Sequence, residues 1–199
     1  MQTVFLVDDH VMIRRGLEAR LTAAGRFRIA GEAAALDEAR RLLGALEEPP
    51  DLVILDLELG DDNGLELIGA LKERGGKMPA ILIYSVFEDP FRIQAALHAG
   101  AMGYVSKSAG EAEFLAAVDA VLSGGPWLAP HLELKSAAAP DIYARFTRRE
   151  REIFELVLKR LDNAAIAKKL SLKTRTVENY LSRIYSKTGA AARSGLLDL

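Results

Sequence analysis

The first 123 residues alternate between short apolar runs and longer segments of helical periodicity, and the alternation occurs five times. Short apolar runs are typical of buried strands, whereas apolar residues spaced three and four apart indicate amphipathic helices. Runs that are apolar throughout indicate parallel strands covered on both faces. The pattern therefore predicts a doubly wound α/β domain. Its predicted strands are residues 3–7, 28–33, 52–55, 80–84 and 103–106, and its predicted helices are residues 11–24, 36–46, 64–73, 89–99 and 111–122.

The pattern changes after residue 123, where Gly and Pro residues end the last predicted helix. After Phe146 it becomes purely helical, and Thr147-Arg-Arg-Glu150 has the form of a capping box. A short helix over residues 163–170, a turn, and a helix over residues 174–188 predict a helix-turn-helix. We therefore predict an α/β domain at 1–123, a linker at 124–143 and a small all-α domain at 144–199.

Charge is unevenly divided along the chain, although the net charge is only −2. Residues 144–199 hold 13 Lys and Arg against 6 Asp and Glu, whereas residues 1–143 hold 13 against 22. This division favours a basic tail domain that contacts a polyanion, with two differently charged solvated surfaces as the alternative. The chain has no cysteine, which excludes disulfides and thiolate sites. Without a signal segment or an apolar span, we expect a soluble cytoplasmic protein without membrane contact.

Polar residues close four of the five predicted strands. Asp8 and Asp9 follow the first strand, Asp56 the third, Ser85 the fourth and Lys107 the fifth. Ligands of open α/β sheets bind at the edge formed by the carboxyl ends of the strands. Carboxylates that converge there repel one another unless a cation such as Mg²⁺ binds between them. A single Asp at a strand end is more often a helix cap or turn former, and Ser85 or Lys107 alone indicates little. Together they predict phosphoryl transfer, in which Asp56 attacks phosphorus while Lys107 and Ser85 stabilise phosphoryl oxygens.

On these residues the chain resembles a response regulator of the NarL/FixJ type. The resemblance implies a flavodoxin-like (βα)5 receiver domain followed by a helix-turn-helix domain, with Asp56 as phosphoacceptor. It implies a Mg²⁺ cofactor held at Asp8, Asp9, Asp56 and the backbone carbonyl of Glu58. Tyr104 would be a switch residue with Ser85, changing rotamer on activation, unless it is an ordinary strand aromatic. The chain departs from the receiver pattern at Gly60 and Ser108, where Pro is common, and we expect Gly60 to loosen the loop after Asp56.

The tail is similar to a LuxR-type helix-turn-helix in the segments 146–152 and 163–167, in Thr176-Val177, and in Lys187 and Arg193. It departs from that pattern at Arg160, Ala165 and Glu178, where Gly, an acidic residue and Lys are usual. We expect its basic residues to contact phosphates, and Glu178, Asn179 and Ser182 to read bases, unless Glu178 pairs with Arg175. A short final helix over residues 193–199 would dimerise. The predicted DNA-contacting residues are Lys168, Lys169, Lys173, Thr174, Arg175, Thr176, Glu178, Asn179, Ser182 and Arg183.

Three functions remain open on the sequence. The favoured one is a transcriptional regulator, not an enzyme, in which a partner histidine kinase phosphorylates Asp56 and shifts the protein toward a DNA-binding homodimer. The second is an aspartyl-phosphate phosphatase, although such enzymes place an Asp-x-Asp nucleophile after the first strand. The third is a regulator that works without phosphate. The histidines, His10, His98 and His131, show no metal-ligand spacing, and no Gly-rich nucleotide loop is present.

Overall fold

The structure is a computed structural model that describes residues 1–133, 142–188, 190–192 and 196. It contains two compact units, residues 1–88 with 95–134 and residues 89–94 with 135–199. Unit 1 holds a parallel sheet with strand order β2-β1-β3-β6-β7-β8. The strands are β1 (Gln2–Val7), β2 (Phe27–Ala33), β3 (Leu52–Leu55), β6 (Ala80–Ser85), β7 (Gly103–Ser106) and β8 (Trp127–Leu128).

Helices connect the strands as the alternating pattern predicts. They are α1 (Val11–Ala23), α2 (Leu36–Ala45), α3 (Leu65–Arg74), α4 (Pro90–Ala99) and α5 (Glu111–Leu122). The core on one side of the sheet joins apolar side chains of β1, β3 and β6 to those of α1 and α5, including Leu17, Leu21 and Phe114. The doubly wound fold is confirmed, and the central strands are buried on both faces, as their uniformly apolar sequences require.

Two features of unit 1 depart from the five-strand expectation. Trp127 and Leu128, which the sequence analysis assigned to the linker, form β8 and pair with Gly103 and Tyr104 of β7. Leu132 is also buried, so this part of the expected linker is structured. The loop after Asp56 forms a short hairpin from β4 (Glu58–Leu59) and β5 (Asp62–Asn63). Residues 134–141 of the expected linker lie outside the described residues, and its last two residues, 142 and 143, belong to the helix Ile142–Arg145.

Unit 2 contains α6 (Ile142–Arg145), α7 (Arg148–Leu158), α8 (Asn163–Lys169) and α9 (Thr174–Thr188). Thr147 and Glu150 form the predicted capping box at the start of α7. The apolar faces of α7, α8 and α9 share one core that includes Phe154, Ile166, Val177 and Ile184. The predicted final helix at 193–199 lies outside the described residues except for Leu196. None of the helices in the described part of the chain has the length and hydrophobicity of a transmembrane span.

Two residues in unit 2 adopt left-handed backbone conformations without being glycine. Arg160, which follows α7, has φ +60°, and Ser171, in the turn between α8 and α9, has φ +53°. Glycine adopts this conformation at little cost, whereas a Cβ makes it unfavourable by about 1 kcal/mol. The position of Arg160 therefore explains why a Gly is usual there in the family that the tail resembles.

Candidate functional site

Four strand ends meet at one edge of the sheet, because β1, β3, β6 and β7 are parallel neighbours. Asp8 follows β1, Asp56 follows β3, Ser85 ends β6 and Lys107 follows β7. Lys107 Nζ lies 2.6 Å from Asp8 Oδ2 and 2.7 Å from Asp56 Oδ2, and all three side chains are nearly buried. The structure therefore brings these predicted residues into one pocket, with the lysine between two carboxylates.

Burial and ion pairing act in opposite directions on the pKa values in this pocket. Burial raises the pKa of Asp56, and this effect, with the nearby charge of Asp8, exceeds the lowering by Lys107. Burial alone would lower the pKa of Lys107, but hydrogen bonds and charges from Asp56 and Asp8 raise it overall. Both pKa values are therefore raised, but for different reasons. Ion pairing outweighs burial at Lys107, which faces two carboxylates, whereas burial and the second carboxylate outweigh ion pairing at Asp56, which faces one ammonium group. The raised pKa keeps Lys107 positively charged at neutral pH.

Asp9 has partners on both sides. Its Oδ1 lies 2.6 Å from His10 Nδ1, and its Oδ2 accepts a hydrogen bond from the Gly60 backbone N–H at 3.2 Å. The backbone N–H of His10 also donates to Asp8 Oδ1 at 2.9 Å. His10, which the sequence analysis set aside, thus belongs to the acidic cluster. Its position directly after two aspartates was the one signal that could have identified it.

The donor groups of this cluster fit a hard divalent cation. Ligand atoms of Asp8, Asp9, His10 and Asp56 all lie within 4.8 Å of one another. Mg²⁺ prefers carboxylate and carbonyl oxygens, and three carboxylates exceed the charge of the single nearby ammonium group. Glu58, whose carbonyl is the expected backbone ligand, lies in β4 just after Asp56. The residues present therefore suit a Mg²⁺ site.

A buried arginine on α1 holds the main chain of the acidic pair by a hydrogen bond. Arg14 on α1 donates from Nη1 to the backbone carbonyl of Asp8 at 2.6 Å, and its side chain is only 10% exposed. Its Nε lies 3.5 Å from a carboxylate oxygen of Glu32 on β2. The arginine charge is thus balanced by Glu32, and its hydrogen bond fixes the main chain at the point where the acidic pair begins. Arg14 was not among the site residues predicted from the sequence.

Ser85 and Tyr104 both contact the loop after β6. Ser85 is fully buried, and its Oγ accepts from the Phe87 backbone N–H at 3.3 Å. Tyr104 is also fully buried, and its hydroxyl donates to the Phe87 carbonyl at 2.7 Å. The two expected switch residues therefore share one partner residue, and Phe87 links the side chain of Ser85 to that of Tyr104.

The predicted DNA-contacting residues lie along α8, the following turn and α9. All of them are exposed except Thr176, which is partly buried, so the surface they form is accessible within unit 2. Arg175 Nη1 lies 3.4 Å from Glu178 Oε2, one turn apart on α9. The guanidinium of Arg183 lies 5.6 Å from the centre of the Tyr180 ring. The alternative to base reading by Glu178, its pairing with Arg175, is therefore present in the structure.

Lys187 has a structural position at the end of α9. Its Nζ lies 2.6 Å from Glu150 Oε2 and donates to the Arg145 carbonyl at 2.9 Å. The Glu150 side chain is 3% exposed. Burial alone would raise the pKa of Glu150, but hydrogen bonds from Lys187 and Thr147 lower it overall. Lys187 therefore joins the end of α9 to the start of α7.

Comparison with known families agrees with this division of the chain. Residues 4–119 match the family described as the response regulator receiver domain, and residues 144–199 match the bacterial regulatory proteins of the luxR family. The chain is a response regulator. It combines a receiver domain with a LuxR-type domain, and this response regulator is a DNA-binding transcriptional regulator.

Individual relatives are similar to the response regulator over nearly its full length. The DNA-binding transcriptional activator DevR/DosR of Mycobacterium tuberculosis is 36% identical over 98% of this chain and 91% of its own. The nitrate/nitrite response regulator NarL of Escherichia coli K12 is 30% identical over 96% and 91%, which confirms the resemblance to the NarL/FixJ type. A structure of RcsB from Salmonella enterica serovar Typhimurium covers 99% of this chain and 96% of its own with a TM-score of 0.79. At 23% identity, this likeness concerns the fold alone.

Proposed function

We propose that a partner histidine kinase phosphorylates Asp56 of this response regulator in a Mg²⁺-dependent reaction, and that phosphorylation promotes a homodimer that binds double-stranded DNA. The observation that carries the proposal is the contact of Lys107 Nζ with both Asp56 and Asp8 in a nearly buried pocket. Asp56 has the carboxylate that a phosphoacceptor needs, and Lys107 has the positive charge that a phosphoryl oxygen needs.

The chain's own groups account for the transfer. Mg²⁺, when held by Asp9, Asp56 and the Glu58 carbonyl beside Asp8, supplies charge neutralisation for the phosphoryl oxygens. A carboxylate oxygen of Asp56 forms the new bond to phosphorus while the bond between phosphorus and the donor breaks, and the donor leaves with that electron pair. Lys107 then pairs with a phosphoryl oxygen. Ser85 can donate its hydroxyl hydrogen to another oxygen while still accepting from Phe87.

Phosphorylation acts on DNA binding by shifting a conformational equilibrium. The exposed residues of α8 and α9 would contact DNA, with the basic ones on phosphates and Asn179 and Ser182 on base edges. Glu178 pairs with Arg175 instead. A homodimer would present two such helices to paired half-sites. We place the protein in the cytoplasm, because its DNA and its phosphodonor are reached there.

We further propose that the pocket accepts a phosphoryl group without turning over substrates as an enzyme does. The first strand ends in Asp8-Asp9-His10, and Asp56 lies on the third strand, which differs from the Asp-x-Asp arrangement of aspartyl-phosphate phosphatases. A purely phosphate-independent regulator is disfavoured, because such a protein gains nothing from an assembled acidic pocket with a buried lysine.

The test uses the full-length protein, Mg²⁺ and a small acyl phosphate donor. Intact mass should increase by one phosphoryl group in the wild type and in Asp62→Asn, an equal loss of charge on the exposed neighbouring hairpin. Asp56→Asn should show no increase. Phosphorylated wild type should shift genomic DNA fragments at lower protein concentration than unmodified wild type or Asp56→Asn.

Three outcomes would contradict the proposal. Phosphorylation of Asp56→Asn would show that another residue is the acceptor. Repeated release of phosphate from many substrates would favour the phosphatase. DNA binding that is identical with and without the added phosphoryl group would favour a regulator that works without phosphate.

A further inference from the structure

A backbone amide in the loop after the phosphoacceptor donates a hydrogen bond to a side chain of the acidic pair. The Gly60 N–H donates to Asp9 Oδ2 at 3.2 Å, across 51 residues of sequence. Gly60 has φ +61° and begins the turn between β4 and β5. A Pro, which is common at this position in similar receivers, has no N–H and holds φ near about −65°. This contact therefore depends on the chain having Gly rather than Pro at residue 60.

We propose that the Gly60 amide is a positioning group for the divalent cation, holding Asp9 against the hairpin that contains Glu58. The inference rests on the proposed function, in which the Asp9 carboxylate and the Glu58 carbonyl both hold Mg²⁺. These two groups come from distant parts of the sequence, and Glu58 lies two residues before Gly60 in the same hairpin. The amide thus brings the two ligand-bearing segments together before the cation binds.

The environment of Asp9 shows why such a restraint matters. Its side chain is 31% exposed, so an unrestrained carboxylate would sample several rotamers in water. In the structure, His10 Nδ1 contacts one oxygen and the Gly60 N–H contacts the other. A carboxylate oxygen has two lone pairs, so accepting the amide leaves one for a cation. Fixing the ligand in advance lowers the entropy lost when the cation binds.

The hairpin itself does not depend on this contact. Glu58 pairs with Asn63, Leu59 pairs with Asp62, and the Gly64 N–H donates to the Leu57 carbonyl at 2.8 Å. Removing the Gly60 amide should therefore weaken cation binding without unfolding the sheet. The sequence predicts that Gly60 loosens the loop, but its amide also supplies a restraint that a proline lacks.

The experiment measures Mg²⁺ affinity of the full-length protein by titration calorimetry. Gly60→Pro should weaken Mg²⁺ binding about three- to tenfold, the effect of losing one hydrogen bond to a carboxylate. Gly60→Ala keeps the N–H, although its turn is strained, and should retain more of the affinity. In an Asp9→Ala background, Gly60→Pro should cause little further loss, because the two changes remove the same contact. Excess Mg²⁺ should restore phosphorylation of Gly60→Pro to the wild-type plateau.

A second measurement avoids changing the turn. Exchange of the Gly60 amide hydrogen with solvent should be slower in the wild type than in Asp9→Ala. Equal exchange in the two proteins would overturn the proposal. So would wild-type Mg²⁺ affinity in Gly60→Pro, or equal losses in Gly60→Pro and Gly60→Ala, which would assign the effect to strain. These outcomes leave phosphorylation of Asp56 intact, whereas a wild type that binds no Mg²⁺ and gains no phosphoryl group would defeat the proposed function itself.

Discussion

Gly64 limits the position of the phosphoacceptor by having no side chain. A Cβ at residue 64 would lie 2.0 Å from the carbonyl oxygen of Asp56, a distance that no real contact allows. The backbone of Gly64 has φ −55°, which any residue can adopt, so the requirement is steric rather than conformational. The Gly64 N–H also donates to the Leu57 carbonyl at 2.8 Å, which holds the start of α3 against the residue after Asp56.

We therefore predict that Gly64→Ala displaces Asp56 and that a matched glycine substitution does not. Gly64→Ala should destabilise unit 1 by about 2 kcal/mol, as overpacking of a tight site does, and should slow phosphorylation. Gly69→Ala in α3 meets nothing within 4 Å and should stabilise the helix by about 0.5–1 kcal/mol. Hydrogen exchange of β3 amides measures the change in stability, and the rate at which the intact mass increases with an acyl phosphate donor measures the change in phosphorylation. Equal behaviour of the two variants would refute the steric explanation.

The sequence predicts site residues well where backbone topology alone decides their position. Asp8, Asp56, Ser85 and Lys107 meet because each closes a strand of one parallel sheet, and strand order then brings them together. His10 and Arg14 were missed because their contacts depend on side-chain direction after the strand has ended. The full burial of Tyr104 likewise depends on packing that no local pattern reports.

Whole elements, like single residues, are predicted well where a local sequence pattern decides them and poorly where tertiary packing does. The predicted strands and helices of unit 1 all form, with bounds that differ by at most one residue at either end, because each has a clear apolar pattern. β8 was assigned to the linker because two residues after Gly and Pro carry no periodicity, and its pairing with β7 comes from tertiary packing. The β4–β5 hairpin is too short to show a pattern for the same reason.

An ion pair joins the start of α7 to the end of α9, and its carboxylate, Glu150, is also part of the capping box. Glu150 Oε2 accepts from the Thr147 N–H at 2.7 Å and lies 2.6 Å from Lys187 Nζ. Because these contacts lower the pKa of Glu150, the folded chain binds this proton less tightly than the unfolded chain does. The resulting stabilisation is complete above the ordinary pKa of 4.5 and is lost as the pH falls through the folded value.

We predict that unit 2 loses stability as the pH falls below about 4.5, and that Lys187→Met removes most of this pH dependence. At neutral pH, Lys187→Met should cost about 3 kcal/mol, because it leaves a nearly buried carboxylate without its cation. Hydrogen exchange of α7 and α9 amides reports both quantities. The control is Arg148→Met, which breaks a surface pair with Glu152 and should cost less than about 1 kcal/mol. An unchanged pH dependence in Lys187→Met would refute the role of the pair.

At the scale of the whole molecule, the division of charge along the chain determines which part of the protein is attracted to DNA. Residues 1–143 carry an excess of 9 negative charges and residues 144–199 an excess of 7 positive charges. A net charge of −2 would by itself predict repulsion from a polyanion. Attraction at the tail surface therefore has to be local, and it acts within a Debye length of about 10 Å at 0.1 M salt.

This locality predicts which lysines contribute to the salt dependence of DNA binding. Each phosphate that a cation neutralises releases a counterion, so the logarithm of affinity falls linearly with the logarithm of salt concentration. Lys173 is exposed in the turn before α9, and Lys173→Ala should reduce that slope by about 1 and weaken binding to all sequences alike. Lys77→Ala removes an exposed lysine of unit 1 that pairs with Asp51, and should leave the slope unchanged. Titrations of the phosphorylated protein at several salt concentrations measure the slopes. Equal slope changes in the two variants would mean that net charge, rather than the tail surface, governs DNA affinity.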